Sequence, residues 1–146
     1  MDTTLPTALE LQVVTPERLV VSESASAVSL PGKSGRLGIL PGHAPLVSEL
    51  AAGVISYRRE GTTKRLAVSN GFTEVLPARV IVLAQAAERA EEIDVERART
   101  TRHQAEERLK SLPDTGENSE RSLAQAALER ATAWLEAATE TSGTGM

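Results

Sequence analysis

The sequence predicts an N-terminal antiparallel β-sandwich followed by a C-terminal antiparallel two-helix hairpin. Three observations support this fold class. Up to about residue 87, short stretches of alternating apolar residues are separated by Gly, Pro and Asn. From residue 88 onward the chain is rich in Ala, Glu, Arg, Gln and Leu, with one break around Pro113. We therefore expect a sandwich domain at residues 1–87 and a movable helical arm at residues 88–146.

The first part of the chain contains a series of short candidate strands. The segment 9–13 alternates with a period of two, as a half-buried strand does. The other candidates are 18–22, 25–30, 37–40, 46–50, 54–58, 64–68, 73–76 and 80–84. Turn residues separate them at Pro31-Gly32, Pro41-Gly42, Gly53, Glu60-Gly61, Asn70-Gly71 and Pro77. Short strands with frequent turns favour an antiparallel sandwich, and no helical pattern lies between them to connect parallel strands.

Two helices are predicted in the arm. Asp94 is a plausible N-cap of the first, because its carboxylate can accept a hydrogen bond from a first-turn amide. Pro113 should end that helix, since proline disfavours a helical conformation at Leu112. The second helix should start near Asn118 or Ser119. The predicted apolar faces are Val95, Ala98, Arg102, Ala105, Leu109 and Leu112 in the first helix, and Leu123, Ala127, Ala131, Trp134, Leu135 and Ala138 in the second.

These apolar faces consist mostly of alanine. Burying one methyl or methylene group contributes only about 0.8 kcal/mol. Isolated helices of about 15 residues are marginally stable in water. We therefore expect the hairpin to be weakly held and able to change partners.

The composition excludes several functional classes. The aromatic content is 2%, with one Trp, one Tyr and one Phe, which argues against base-stacking platforms and an aromatic-lined pocket. A formal net charge of −4 does not indicate the positively charged surface that nucleic-acid binding needs. The absence of Cys excludes disulfides, thiolate metal sites and a cysteine nucleophile. No signal-peptide pattern begins the sequence, and no apolar run suffices for membrane insertion.

Gly32-Lys33-Ser34 matches the end of a phosphate-binding P-loop. Ala27 stands where the full motif has its first glycine, however, and the following Gly35 and Gly38 oppose the helix that such a site needs. We interpret the segment as a hairpin turn.

No catalytic or metal site is predicted. His43 and His103 show no metal-ligand spacing, and no serine lies in a nucleophile-elbow pattern. The acidic residues Glu88, Glu91, Glu92 and Asp94 alternate with arginine, so we expect them to be solvated or ion-paired. The helical arginines 97, 99, 102, 108 and 121 have two open interpretations. They could pair with glutamates along the helix, or they could face an acidic partner or phosphates.

Two stretches resemble the epsilon subunit of F-type ATP synthases. The first runs from Leu30 to Leu46 and contains the sequence GRLGILPGHAPL. The second runs from Ser69 to Val75 and continues through Val82-Leu83-Ala84 to Ile93-Asp94 and Arg97-Ala98. Order and spacing agree from about residue 9 to residue 109. Asn70 stands where the family usually has Gly, and we expect the turn to survive because Asn tolerates a left-handed conformation.

The resemblance implies a non-catalytic rotor subunit of a proton-translocating ATP synthase. Its partners would be the gamma subunit, the membrane-embedded c-ring and, when the helices extend, the catalytic alpha/beta head. The helices would regulate ATP hydrolysis, and the loop containing Arg36 and His43 would face the c-ring. The implied location is peripheral, on the cytoplasmic face of the bacterial inner membrane. The alternative is a free-standing adaptor that binds another protein partner.

Some members of this family bind ATP through an Ile-Asp-x-x-Arg-Ala motif, which reads here Ile93-Asp94-Val95-Glu96-Arg97-Ala98. By alignment, Glu88 and Arg130 match further positions of that site. Gln104 and Trp134, in contrast, stand where those members have arginine. No cofactor is required for the predicted role, and ATP would be a regulatory ligand.

Overall fold

The computed structural model describes residues 5–113 and 119–140, and it confirms a β-sandwich followed by two antiparallel helices. The strands are β1 (Leu9–Val14), β2 (Leu19–Ala25), β3 (Ala27–Gly32), β4 (Gly35–Ile39), β5 (Leu46–Leu50), β6 (Gly53–Arg59), β7 (Thr62–Leu76) and β8 (Arg79–Arg89). A 3₁₀ turn (Ala90–Glu92) leads to the helices α1 (Val95–Ser111) and α2 (Ser119–Glu140). No helix within the described residues is long and apolar enough to cross a membrane.

The strand order is β2-β1-β8-β7-β5-β3-β4, and β6 pairs with both β3 and β7. All of these pairs are antiparallel except β1–β8, which is parallel. The long strand β7 pairs with β6 through its first half and with β5 through its second half. Because β8 follows β7 along its length, this hairpin contributes to both layers of the sandwich.

The main core lies between the two layers and is built by the inward residues of each strand. Leu9, Leu11 and Val13 alternate inward along β1 and have no exposed surface. They pack with residues of the other strands, including Val21, Val28, Leu30, Ile55, Leu66, Val68, Val75, Val80 and Val82. The alternation visible in the sequence therefore corresponds to the inner faces of the sandwich.

The predicted turn at Asn70-Gly71 is wrong. Both residues lie within β7, so the two strands expected at 64–68 and 73–76 form one strand of 15 residues. Asn70 is not left-handed; Glu60 is the only non-glycine residue with positive φ among those the structure describes, at 53°. A β-carbon on Gly71 would overlap the Leu83 carbonyl oxygen and lie 2.8 Å from the Ala84 Cα. Glycine is therefore needed here for the close approach of β8.

The first helix begins and ends where the sequence predicts. The Asp94 carboxylate accepts a hydrogen bond from the Arg97 amide at 3.1 Å, which confirms the N-cap. Leu112 is extended, with φ −92° and ψ 145°, as expected for a residue before proline. The predicted apolar face is confirmed at Ala98 and Ala105, which are buried, whereas Arg102 is exposed.

The predicted apolar face of the second helix is wrong at Leu123, which is 72% exposed, whereas Ala124 is buried. The second half of α2 contacts β6 and β7 as well as α1, and its buried surface is therefore wider than one stripe. Ala133 and Ala137 join Trp134 and Leu135 there in a second apolar cluster, with Val54 and Ala67 of the sheet. A single-stripe pattern does not describe a helix packed on two sides. The predicted start of the second helix is Asn118 or Ser119; among the described residues α2 begins at Ser119, and Asn118 lies outside them.

The carboxylate of Glu23 links the edge strand β2 to three other strands of the sandwich. Glu23 points inward from the edge strand β2, and its side chain is 18% exposed. It accepts a hydrogen bond of 2.5 Å from the Tyr57 hydroxyl. Its oxygens also lie 3.2 Å from Lys64 Nζ, 3.3 Å from Arg59 Nε and 3.4 Å from Arg89 Nη1. These contacts tie β2 to β6, β7 and β8.

The Tyr57 hydrogen bond, acting with the charges of Lys64 and Arg89 against the cost of burial, holds the pKa of Glu23 below its usual value of 4.5. A carboxyl with a lowered pKa in the folded state stabilises that state above its unfolded pKa. The contribution of Glu23 is therefore present above about pH 4.5 and is lost as the pH falls through the lower folded pKa.

Gly71→Ala should lower the free energy of unfolding by about 3 kcal/mol or more, because backbone atoms of β8 occupy the space that the added methyl needs. Urea denaturation measures this change. Gly38→Ala is the matched control, since a β-carbon there meets nothing within 4 Å. We expect the control to change stability by less than about 0.5 kcal/mol. Equal effects of the two substitutions would contradict the close-approach explanation.

The ionisation of Tyr57 should be shifted to high pH. Burial, followed by the hydrogen bond and charge of Glu23, raises its pKa from 10.0 to about 12. Its contribution to stability is thus present below about pH 10 and is lost as the pH rises toward 12. Since Tyr57 is the only tyrosine, ultraviolet absorbance of tyrosinate reports it directly. Glu23→Gln should lower this pKa but leave it above 10.0, because burial remains. A folded-state midpoint near 10 in the unmodified chain would refute the prediction.

Candidate functional site

A cleft of about 500 Å³ lies between the sandwich and the two helices. Its floor comes from β7 and β8, and its walls come from α1 and α2. The helix α2 contacts β6 and β7 of the sheet on one side and α1 on the other. The lining residues are Ala52, Ser69, Asn70, Gln85, Glu88, Asp94, Arg97, Ala98, Thr101, Ala126, Ala127, Glu129, Arg130, Ala131 and Trp134.

The structure brings together four of the five residues that the resemblance assigns to an ATP site. Glu88, Asp94, Arg97 and Arg130 all line the cleft. Ile93 does not line it and instead packs against the second apolar cluster. Gln104, one of the two departures from the motif, is exposed on α1 and also lies outside the cleft lining. Four residues from three separate elements therefore converge on one concave surface.

The two cleft arginines differ in their surroundings. Arg97 is exposed, and its guanidinium has no ion-pair partner within the residues that the structure describes. The Arg130 guanidinium lies over the Trp134 ring, 5.0 Å from the ring centroid, in a cation–π contact. Both guanidinium groups carry several N–H donors suited to phosphate or carboxylate oxygens. The cleft can thus offer two cations to an anionic ligand.

The carboxylates of the cleft are largely engaged. Asp94 caps α1 through one oxygen, as described above. Glu88 Oε1 accepts a hydrogen bond of 2.6 Å from Trp134 Nε1. Glu129 accepts a hydrogen bond of 3.2 Å from Gln125, one helical turn away. These three carboxylates repel an anionic ligand, and this repulsion offsets part of the attraction from the two arginines.

Trp134 forms a wall of the cleft, and the expectation that no aromatic-lined pocket exists is wrong in this respect. The low aromatic content led to that expectation because a composition gives the number of aromatic residues and not their positions in the fold. A signal was present in the sequence: Arg130 and Trp134 are four residues apart, so they share one face of a helix. Glu88, in contrast, is 46 positions from Trp134, and its hydrogen bond to the indole could not be predicted from spacing.

The two residues assigned to the c-ring side lie in different segments. Arg36 belongs to β4, where its side chain donates to Ser29 Oγ at 2.8 Å and to the Val54 carbonyl at 2.5 Å. His43 lies in the loop after β4, and its Nδ1 is 2.6 Å from the Ala44 carbonyl oxygen. That loop is held to the β7–β8 turn by a hydrogen bond of 2.7 Å from the Gly42 amide to the Pro77 carbonyl.

Lys33 and Ser34 form the two-residue turn between β3 and β4, as predicted. The next residues are a strand, so no helix N-terminus is available for phosphate. The Lys33 ammonium pairs with Glu49 at 3.1 Å. These observations confirm the hairpin interpretation over the P-loop.

A row of apolar residues crosses the outer face of the four strands β2, β1, β8 and β7, and it was not predicted from the sequence. The register places Phe72 beside Leu83, Leu83 beside Val14 and Val14 beside Leu19. Phe72, Leu83 and Leu19 are 54%, 56% and 55% exposed. Val47, 69% exposed, adds to this surface from β5. Exposed apolar side chains gathered on one face indicate a docking surface.

A sequence signal for this row existed. Residues 80–84 are all apolar, and a strand with only one buried face should alternate. A groove of about 750 Å³ adjoins the row and reaches α2 at Glu129. The groove contains Phe72, Leu83 and Val14, together with the Lys33–Glu49 ion pair. The docking surface therefore borders the cleft.

Comparison with known families matches two consecutive segments of the chain. Residues 8–90 match the family described as "ATP synthase, Delta/Epsilon chain, beta-sandwich domain". Residues 91–139 match "ATP synthase, Delta/Epsilon chain, long alpha-helix domain". The boundary between them falls at the 3₁₀ turn between β8 and α1.

Similar proteins carry the name "ATP synthase epsilon chain". That of Moorella thermoacetica is 50% identical over 132 residues, which cover 90% of this chain and 96% of the relative. That of Koribacter versatilis is 56% identical over 102 residues, covering 70% and 72%. That of Nitratidesulfovibrio vulgaris (strain DP4) is 46% identical over 126 residues, covering 86% and 92%.

Solved structures resemble the chain as well. A chain from the Euglena gracilis mitochondrial ATP synthase, solved with its c-ring, superposes with a TM-score of 0.80 at 26% identity. That match covers 95% of this chain and 86% of the other. A chain from the central stalk and c-ring of the Tetrahymena thermophila enzyme has a TM-score of 0.61 at 11% identity, over 92% and 99%. The second likeness supports the fold alone.

Proposed function

The chain belongs to the epsilon-chain family of ATP synthases, whose members are non-catalytic subunits, and from this premise we propose that it is a rotor subunit of the central stalk. In this role the sandwich binds the gamma subunit and rests on the c-ring, and it couples rotation between them during proton translocation. The protein is then peripheral to the cytoplasmic face of a bacterial inner membrane.

The observation that carries this proposal is the apolar row of Leu19, Val14, Leu83 and Phe72. A stalk subunit needs a durable docking surface, because it must hold its partner while both rotate. Burying an exposed Phe or Leu side chain contributes about 1.5 to 3 kcal/mol. Two or three such residues on one face are sufficient to anchor a protein partner, and the neighbouring strands keep the face rigid.

The helical arm provides the regulatory part of the proposal. Its contacts with the sheet form an apolar cluster separate from the main core. The arm can therefore leave the sandwich without opening the main core. Its release exposes Trp134 and Leu135 of α2 together with Val54 and Ala67 of the sheet, while the remaining α2 contacts are small alanines that each contribute little. An arm released in this way can extend along gamma to the catalytic alpha/beta head and oppose ATP hydrolysis.

We also propose that the cleft binds ATP as a regulatory ligand when the arm is folded. The convergence of Glu88, Asp94, Arg97 and Arg130 supports this, since two guanidinium groups can bind phosphate oxygens. ATP at ten times its dissociation constant would stabilise the folded arm by about 1.4 kcal/mol. A shift from 1:99 to 99:1 needs about 5.5 kcal/mol, so other partners must supply the rest.

Phe72→Glu should weaken binding to the gamma subunit of the same ATP synthase by ten-fold or more, because it places a charge in a buried apolar contact. Titration calorimetry with purified gamma measures the dissociation constant. Leu123→Glu is the matched control, since Leu123 is equally apolar and 72% exposed but lies on α2. Loss of binding with Leu123→Glu alone would move the docking surface to the arm. Absence of binding by the unmodified chain would support the adaptor alternative.

Arg97→Ala should weaken ATP binding about ten-fold or more, through loss of a charge-assisted hydrogen bond of about 1.5 to 3 kcal/mol. Calorimetry with the isolated chain gives the dissociation constant. Arg99→Ala serves as the control, because Arg99 pairs with Glu96 at 2.7 Å and does not line the cleft. If the unmodified chain gives no binding heat, the ATP proposal fails while the rotor proposal stands.

A further inference from the structure

We propose that Trp134 and Glu88 form a latch that holds the arm on the sandwich without any ligand. The indole Nε1 donates to Glu88 Oε1 at 2.6 Å, and this bond joins α2 to β8. Its physiological meaning rests on the regulatory role proposed above for the arm. The latch itself is a property of the isolated chain and can be tested without gamma or ATP.

The contact has the features of a strong interaction. The acceptor is a carboxylate oxygen of Glu88. A hydrogen bond to a carboxylate is shorter and stronger than one between neutral groups. Trp134 is 8% exposed and packs in the same apolar cluster as Val54 and Ala67. Arg130, one turn earlier on α2, contacts the ring and helps to fix its orientation. The indole is thus held both by packing and by its polar tip.

Trp134 contributes a large share of the free energy that holds the arm on the sandwich, because the other contacts between α2 and the sheet are small. Most of the other α2 members of the second apolar cluster are alanines, each of which buries little area. Trp134 has the largest side chain of the arm, and burial of an aromatic side chain removes roughly 150–250 Å² of surface from water. A change at this one position should therefore shift the balance between folded and released arm more than a change at any neighbouring alanine.

The latch leaves the cleft able to bind a ligand. Glu88 lines the cleft, and Trp134 uses only its Oε1 atom. A carboxylate has about four acceptor positions on its two oxygens, so Glu88 can accept further hydrogen bonds while the indole stays bound. A ligand that contacts Glu88, Arg97 and Arg130 therefore adds to the latch in holding the arm on the sandwich.

Release of the latch leaves neither of its polar groups without a hydrogen-bond partner. Glu88 is half-buried on the sheet and becomes hydrated when α2 leaves, so no charge is stranded in an apolar site. Water likewise replaces the acceptor of the indole N–H. The strength of the contact therefore sets the equilibrium without making the closed arm permanent.

Hydrogen exchange of the α2 amides in the isolated, nucleotide-free chain tests the proposal. Trp134→Phe keeps an aromatic ring and removes the N–H donor, and Glu88→Ala removes the acceptor. Each should speed exchange in α2 about ten-fold, equal to about 1.4 kcal/mol, while β7 and β8 core amides stay unchanged. The double variant should exchange no faster than the faster single variant, because both substitutions remove one shared interaction.

Two further variants make the outcome decisive. Glu129→Ala removes another cleft carboxylate whose partner lies on its own helix, and it should leave exchange unchanged. Glu88→Gln retains an acceptor and the packed indole, and it should give a smaller increase than Glu88→Ala. Additive effects in the double variant, unchanged exchange in both single variants, or unprotected α2 amides in the unmodified chain would overturn the latch. Failure of gamma binding would instead count against the rotor proposal.

Discussion

The close approach of β7 and β8 at Gly71 is the constraint on which the rest of the structure depends. With no side chain there, a 15-residue strand remains paired with its neighbour through the region where it passes from one layer to the other. The same two strands then supply the floor of the cleft through Ser69, Gln85 and Glu88, and the centre of the apolar row through Phe72 and Leu83. The β7–β8 hairpin therefore holds the cleft floor and the apolar row in a constant relative position.

The energetic contrast between the two halves follows from their side chains. The sandwich core contains fully buried Leu, Ile and Val residues, whereas the arm is attached through alanines, one Leu and one Trp. Removing apolar area from water stabilises in proportion to that area. The sandwich is accordingly the rigid part, and Glu23 with its three cations links the edge strand β2 to β6, β7 and β8. The arm is the part whose position can respond to partners.

Much of this architecture could be predicted from local patterns. Strand alternation located the sandwich, Asp94 located the start of α1, and Pro113 located its end. The errors arise where distant segments decide the outcome. Asn70-Gly71 has the composition of a turn, but the pair lies within β7. Gly71 is required there because β8 passes too close for a side chain. Leu123 fits a single helical stripe, but α2 packs on two neighbours, and the sequence does not state which faces those are.

The family resemblance selected five residues for one ligand site, and four of them, Glu88, Asp94, Arg97 and Arg130, line the cleft, whereas Ile93 does not. ATP binding by these residues stays a prediction, and their internal contacts could not be predicted from the sequence. The indole–carboxylate bond between β8 and α2 joins residues 46 positions apart, and no spacing rule covers such a pair. The parallel pairing of β1 with β8 is equally invisible to local patterns, because alternation indicates a strand but not its neighbour.

That parallel pair has a mechanical consequence. In parallel strands, a pull on the start of β1 and an opposite pull on the end of β8 act along the strand axes. The five register pairs from Glu10–Arg79 to Val14–Leu83 are then loaded together in shear, instead of opening one after another as in a zipper. Since the arm continues from the end of β8, tension applied through the arm is spread over the whole β1–β8 ladder before any single bond gives way.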